Sequence, residues 1–175
     1  MKILIVSGFL GAGKTTFIKR LARNVDQRFA ILENEYGAAG IDGARLGQNR
    51  QGTQKNVWEM TEQCICCIGK KDFAASVLTI ANVVDPEYLI VEPTGVGSLA
   101  RIIENLRQIE YERIQLLSPV TIVDVYSYRR YMAEYPELYQ DQIRSADTII
   151  VSKTEACQAE EKQRIQKFLQ EINPQ

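Results

Sequence analysis

The segment Gly8-Phe9-Leu10-Gly11-Ala12-Gly13-Lys14-Thr15 constrains the fold of this chain more than any other feature. It matches the pattern G-x-x-x-x-G-K-[ST], follows an apolar run of strand length at residues 3–6, and opens a segment with helical spacing. The alternative is a glycine-rich strand-to-helix turn with an ordinary surface lysine. The strand and helix on either side favour a phosphate-binding P-loop instead. In either case Lys14 is expected to lie on a solvent-open loop.

A P-loop binds phosphate through backbone N–H groups that glycines allow to turn inward at a helix N-terminus. Lys14 is predicted to bridge the terminal phosphates and the Thr15 hydroxyl to ligate Mg²⁺. The predicted nucleotide-binding residues of this segment are Gly8, Gly11, Ala12, Gly13, Lys14 and Thr15.

Apolar runs of strand length alternate with segments of helical spacing along the chain. The runs lie at residues 3–6, 30–32, 88–91, 120–123 and 148–151, and the helical segments at 14–24, 72–83, 98–108, 128–133 and 155–172. This alternation predicts an α/β fold, a mostly parallel sheet with helices on both faces. Residues 36–54 are rich in glycine and polar residues, which predicts a mobile, functional loop.

Composition limits the classes of function. With 175 residues, 45% hydrophobic and 25% charged, the chain is expected to form one globular domain. A formal net charge of −1 provides no overall positive field for nucleic acid or an anionic membrane. The first apolar run is too short for a secretory signal or a membrane span. We therefore expect a cytoplasmic protein without nucleic-acid or membrane partners.

A second candidate segment, Glu92-Pro93-Thr94-Gly95, follows the apolar run at residues 88–91. Ligands of open α/β sheets collect at the carboxyl ends of the strands. Glu92 is therefore predicted to hold Mg²⁺ through water, and the Gly95 N–H to meet the γ-phosphate. The alternative is a simple strand-ending turn, since proline cannot extend a ladder. We take Lys14, Glu92 and Gly95 as the candidate catalytic residues.

The segment Ser152-Lys153-Thr154-Glu155 follows the last apolar run. A carboxylate here can accept both the N1–H and the exocyclic amine of guanine, whereas adenine has no proton at N1. That arrangement would select GTP. The same Ser-x-x-Glu spacing is also typical of a helix capping box. The residues alone leave the two interpretations open.

Three of the four cysteines lie close together as Cys64-Ile65-Cys66-Cys67, and the chain contains no histidine. Thiolates are preferred ligands of soft transition metals. A metal site is the first interpretation, and a C-x-x-C redox pair or buried inert thiols are the alternatives. Cys157, alone on a predicted helix, is expected to be structural.

Together these segments resemble the CobW-like metal-chaperone GTPases, relatives of the urease and hydrogenase accessory GTPases. The resemblance rests on residues 8–16, on Glu33-Asn34-Glu35-Tyr36-Gly37, on the C-x-C-C cluster and on Glu92-Pro93-Thr94-Gly95, in family order. It implies that Glu33, Cys64, Cys66 and Cys67 bind the metal, that residues 33–42 form the first switch, and that Thr16 joins the nucleotide site. It also favours Lys153 and Glu155 as readers of guanine, although Ser152 stands where the family commonly has Asn, and Glu155 where it has Asp.

The resemblance implies a GTPase that couples its nucleotide state to delivery of a transition metal, Zn²⁺ or Co²⁺. It also implies that Mg²⁺ binds together with the nucleotide. The expected partners are a guanine nucleotide, the metal and a client metalloprotein or cobalamin-pathway enzyme, with a homodimer left open. Residues 1–175 are expected to be the GTPase domain of such a protein, ending before the last strand and a C-terminal domain. The rival functions are a metal buffer or sensor with a structural P-loop, and a small-molecule kinase.

Overall fold

A parallel sheet forms the centre of the structure. A computed structural model describes residues 1–24, 27–33, 57–61 and 70–174. The strands are β1 (Lys2–Ser7), β2 (Phe29–Glu33), β3 (Val57–Thr61), β4 (Tyr88–Glu92), β5 (Gln115–Leu116), β6 (Val120–Asp124) and β7 (Thr148–Ser152). They lie in the order β3-β2-β4-β1-β6-β7, and β5 also pairs with β1. All pairings between these strands are parallel, and β1 lies between β4 and β6.

Helices cover both faces of this sheet. They are α1 (Lys14–Asn24), α2 (Lys70–Val83), α3 (Leu99–Arg107), α4 (Tyr128–Glu134), α5 (Pro136–Arg144) and α6 (Ala159–Ile172). Ile5 of β1 packs in a buried cluster with Phe73 of α2 and Leu106 of α3. The next residue, Val6, packs in a second cluster with Ile18 of α1. Since successive strand side chains point to opposite faces, the predicted three-layer α/β fold is confirmed.

Three elements were not predicted, namely β3, β5 and α5. Strand β5 has only two residues, too few to show a pattern, and β3 has only five. Helix α5 begins at Pro136, a residue favoured in the first helical turn because its missing N–H has no intrahelical partner there. Pro136 therefore marks the start of α5 in the sequence.

The predicted helix at 155–172 is wrong at its start, because α6 begins at Ala159. Cys157 therefore precedes the helix instead of lying on it, and its thiol is partly buried. The loop predicted at 36–54 lies outside the described residues. None of the helices in the described ranges combines the length and the apolar character needed to cross a membrane.

The parallel arrangement brings distant polar residues to one edge of the sheet. The carboxyl ends of neighbouring parallel strands meet at the same edge, where ligands of such sheets bind. The residues that end β1, β2, β4, β6 and β7 there are Ser7, Glu33, Glu92, Asp124 and Ser152. This edge carries the candidate site.

Candidate nucleotide-binding site

Three glycines shape the turn between β1 and α1. The backbone φ angles of Gly8, Gly11 and Gly13 are +142°, +74° and +101°, values that residues with a Cβ rarely adopt. At Gly8 an added Cβ would also lie 2.5 Å from the carbonyl oxygen of Ile122 in β6. The turn then leads directly into α1 at Lys14. The predicted strand, glycine loop and helix are therefore all present.

Lys14 is buried, with 8% of its surface exposed, so the idea of a surface lysine on a solvent-open loop is wrong. Its Nζ donates to the carbonyl oxygen of Phe9 over 3.4 Å and lies 4.0 Å from Glu92 Oε1. A buried ammonium group needs such partners to offset its desolvation. The P-loop and the end of β4 therefore hold the lysine between them.

Thr15 and Glu92 meet at the same point. The Thr15 hydroxyl donates to Glu92 Oε1 over 3.2 Å, although the two residues are 77 positions apart in sequence. Glu92 is the last residue of β4, as the apolar run before it predicted. The neighbouring Thr16 is exposed in the first turn of α1. The predicted P-loop lysine, threonine and strand-end carboxylate thus lie together.

Gly95 rests on the P-loop itself. A Cβ at this position would lie 2.6 Å from the Leu10 nitrogen and 3.1 Å from the Phe9 carbonyl carbon. Contacts this short to backbone cannot be relieved by a rotamer change, so only glycine allows the approach. The Gly97 N–H donates to the Thr94 carbonyl over 3.0 Å and closes a turn around it. The predicted catalytic glycine is therefore beside the phosphate-binding loop.

Glu33 ends β2 and is the register partner of Glu92 in β4. Register partners on adjacent strands place their side chains on the same face of the sheet. Glu33 is 5% exposed. The two carboxylates of the predicted metal and nucleotide sites are thus on neighbouring strands.

The predicted thiol ligands Cys64, Cys66 and Cys67 lie outside the described residues. In the ranges that the structure describes, no group of three or more cysteine or carboxylate side chains is placed to hold a metal. The metal site therefore stays a prediction, with Glu33 as its one described member.

The segment after β7 contacts the P-loop from the other side. Ser152 Oγ donates to the Ala12 carbonyl over 2.6 Å. Since Ser152 belongs to β7 and α6 begins seven residues later at Ala159, the capping-box interpretation is wrong. Lys153 has a φ of +59°, a left-handed conformation that costs roughly 1–2 kcal/mol for a residue with a Cβ. Glu155 is exposed in the turn that follows.

Asp124 is a site residue that the sequence reasoning missed. It ends β6 and is 7% exposed. Its Oδ2 accepts a hydrogen bond from Lys153 Nζ at 2.8 Å, and its Oδ1 accepts one from the Tyr126 N–H at 2.9 Å. Burial by itself raises the pKa of Asp124, but hydrogen bonds from Lys153, Tyr126 and Ser127 and the lysine charge bring the pKa below its ordinary value. The carboxylate therefore holds Lys153 at the site.

The sequence pattern that identifies Glu92 also identifies Asp124, because each is an acidic residue directly after a buried apolar run.

Phe9 is a second residue that the sequence reasoning missed, although it lies within the P-loop motif. Its ring packs against those of Tyr131 and Tyr139 at centroid distances of 4.7 and 5.0 Å, and the Tyr131 hydroxyl donates to the Leu10 carbonyl over 2.9 Å. Helices α4 and α5 thus anchor the P-loop from behind.

Two curated proteins resemble the chain in sequence over most of its length. The zinc chaperone YeiR of Escherichia coli K12 is 31% identical over 170 residues, which cover 95% of this chain and 51% of YeiR. A zinc chaperone CobW from a Sinorhizobium species is 30% identical over 182 residues, covering 89% of this chain and 51% of that protein. The chain therefore spans about half the length of these relatives.

Solved structures share the fold. The Zn(II)-bound YjiA GTPase from E. coli superimposes with a TM-score of 0.71 at 23% identity, covering 99% of this chain and 55% of that one. The hydrogenase maturation factor HypB from Archaeoglobus fulgidus gives 0.64 at 17% identity, covering 99% and 77%. The sequence model described as the CobW/HypB/UreG nucleotide-binding domain matches residues 2–175. The chain therefore belongs to the CobW/HypB/UreG nucleotide-binding domain family.

Proposed function

We propose that this chain binds and hydrolyses GTP and couples its nucleotide state to the binding and delivery of a transition metal, zinc or cobalt. The observation that carries the proposal is the edge of the sheet where Lys14, Thr15 and Glu92 converge and where Glu33 ends the adjacent strand. Family membership supports it, as do the zinc chaperones among the relatives and the GTPases among the similar folds.

Phosphate binding is assigned to the P-loop backbone and to Lys14. The buried ammonium group would compensate the charge of the terminal phosphates in a site that largely excludes water, where such contacts are strong. The Gly95 N–H is assigned to the terminal phosphate, since Gly95 already lies against Leu10. These groups bind and orient the nucleotide for attack by water.

The residues present also fit Mg²⁺, a hard cation that prefers oxygen ligands. The Thr15 hydroxyl would hold it directly and Glu92 through water, and their oxygens lie 3.2 Å apart. When bound, Mg²⁺ would neutralise charge that develops on the phosphates.

Base selection is assigned to the segment after β7. Lys153, held by Asp124 at 2.8 Å, would lie along the base, and the Glu155 carboxylate would accept the N1–H and amine of guanine. Adenine cannot donate from N1, so the carboxylate would lose a hydrogen bond to ATP. GTP is therefore the proposed substrate.

Coupling to the metal is assigned to Glu33, with Cys64, Cys66 and Cys67 as the other ligands. Glu33 is the register partner of Glu92 on the adjacent strand, so the proposed metal and nucleotide sites are neighbours at this edge of the sheet. Residues 33–42 would be ordered by the terminal phosphate and released after hydrolysis, which changes the metal's ligand set. The proposed setting is the cytoplasm, with a client metalloprotein or cobalamin-pathway enzyme receiving the metal.

Calorimetric titration of Zn²⁺ into nucleotide-free protein and into protein loaded with a non-hydrolysable GTP analogue tests the coupling. Linkage requires metal and nucleotide to change each other's affinity by the same factor, typically about 5- to 150-fold. Cys66→Ser should weaken Zn²⁺ binding while nucleotide binding survives, because a hydroxyl is a much poorer zinc ligand than a thiolate. Glu33→Ala should remove most of the coupling.

Cys157→Ser is the matched control, since this cysteine is partly buried beside α6 and lies 90 positions from Cys67 in the numbering. Equal Zn²⁺ affinities in the two nucleotide states would contradict the coupling even if both ligands bind. Steady release of phosphate without an acceptor separates a hydrolase from a kinase. Tight metal binding with no phosphate release would instead favour a metal buffer.

A further inference from the structure

Gln142 is a buried amide on α5 that contacts the segment following β4. It is 1% exposed. Its Nε2 donates to the carbonyl oxygens of Gly95, at 3.1 Å, and of Gly97, at 2.9 Å. The backbone carbonyl of Gln142 accepts a hydrogen bond from the Thr121 hydroxyl of β6 over 2.9 Å. The side chain and the backbone of one residue therefore tie this segment to the sheet.

A role in packing alone does not account for an amide at this position. Burying an amide is costly unless its polar atoms are hydrogen-bonded, and an aliphatic side chain of similar size would fill the space without that cost. Here Nε2 donates to two carbonyl groups of the same turn, whereas Oε1 is buried without a hydrogen-bond partner among the described residues. The specific property that glutamine supplies is thus a donor for these two carbonyls.

The turn that Gln142 holds lies between α5 and the P-loop. On one side Gly95 approaches Leu10 so closely that a Cβ would lie 2.6 Å from its nitrogen. On the other side Gln142 donates to the Gly95 carbonyl. Asp141, the neighbour of Gln142, accepts from the Leu99 N–H over 2.7 Å at the start of α3. Helix α5 therefore restrains both the turn and the helix that follows it.

We propose that Gln142 is a positioning residue that sets where the Gly95 N–H lies relative to the terminal phosphate of the nucleotide. The inference rests on the proposed function, because it concerns the same site. GDP lacks the γ-phosphate that the Gly95 N–H is proposed to contact. The hydrogen bonds of Gln142 therefore favour GTP binding and hydrolysis over GDP binding.

The test compares Gln142→Met, which keeps the length of the side chain but has no donor, with the parent chain. Affinities for GDP and for a non-hydrolysable GTP analogue are measured by titration, and kcat and KM by phosphate release. We expect the preference for the analogue over GDP, and kcat, to fall about 5- to 30-fold, with GDP affinity unchanged. Gln140→Met is the matched control, because the Gln140 amide lies on the same helix and donates to Met132 Sδ at 3.8 Å.

Gln142→Glu adds a readout that follows the hydrogen-bond donor and not the size of the side chain. An ionised carboxylate offers no donor to the two carbonyls, whereas the protonated acid restores one. The kcat of this variant relative to the parent should therefore rise as the pH is lowered, and the same ratio for Gln142→Met should stay flat. This variant also keeps the inference testable if the methionine variant does not fold, which circular dichroism will show.

Equal losses of GDP and analogue affinity in Gln142→Met, or a kcat of Gln142→Glu that stays at the Gln142→Met level at every pH, would overturn the inference. If the parent discriminates between the nucleotides and Gln142→Met behaves as the parent does, the inference fails and the proposed function stands. If the parent binds neither nucleotide, both fail.

Discussion

Removing the charge of Asp124 should destabilise the protein by separating Lys153 from the sheet. Asp124→Asn keeps an Oδ1 that can still accept from the Tyr126 N–H, so the main change is at the contact with Lys153 Nζ at 2.8 Å. A hydrogen bond between charged groups contributes about 1.5–3 kcal/mol. Because the Lys153 side chain is 48% exposed and that of Asp124 only 9%, solvent screening reduces this to roughly 1–2 kcal/mol.

The pH dependence of this effect has a definite sign. Burial raises the pKa of Asp124, but the hydrogen bonds from Lys153, Tyr126 and Ser127 together with the lysine charge lower it by more than burial raises it. The net result is a pKa below the ordinary 3.8. A carboxyl group with a lowered pKa in the folded state stabilises the protein above the unfolded pKa, and this stability is lost as the pH falls through the folded pKa. The deficit of Asp124→Asn should therefore be constant near neutral pH and shrink below about pH 4.

Urea unfolding of the parent, Asp124→Asn, Lys153→Met and the double variant measures the pair directly. The coupling free energy should be about 1–2 kcal/mol, and Asp124→Asn alone should lower Tm by roughly 2–8 °C for a domain of this size. Asp147→Asn is the control, because Asp147 is an exposed residue of the same type. A coupling below about 0.3 kcal/mol, or a deficit that grows on acidification, would refute the assigned role of the pair.

Four other changes probe the site. Gly8→Ala should destabilise the protein by about 2–5 kcal/mol in urea unfolding, because it combines a φ of +142° with a Cβ placed 2.5 Å from the Ile122 carbonyl oxygen. Gly11→Ala, with no neighbour within 4 Å of its Cβ, should destabilise it by only about 1–2 kcal/mol. Equal losses of stability in the two variants would contradict this reasoning. Lys14→Met should weaken nucleotide binding about 10- to 100-fold in equilibrium titration by removing a buried positive charge; unchanged affinity would remove the P-loop assignment. Glu155→Ala should lower the preference for GTP over ATP roughly tenfold in a competition assay, and no change would exclude this carboxylate as the base reader.

Local patterns predicted the elements that local physics decides. Helix α1 was predicted at Lys14–Asn24 and is observed there. Its bounds depend on the glycines just before it and on apolar residues at helical spacing, which are interactions between residues close in sequence. The apolar runs became β1, β2, β4, β6 and β7 for the same reason. Helix α5 was missed, since its polar sequence has only Pro136 to mark its start.

The sequence by itself thus determined the P-loop, the strand-end carboxylate and the order of β1, β2, β4, β6 and β7 with most of the helices between them. The tertiary structure alone decided which of these residues meet. Thr15 and Glu92 are 77 positions apart, Gln142 and Gly95 are 47, and Lys153 and Asp124 are 29. These residues lie together because the parallel crossover connections place the ends of distant strands at one edge of the sheet. Gln142 has the sequence pattern of an ordinary helical surface residue, and only the packing of α5 against the turn at Gly95 buries it and makes it a donor to that turn.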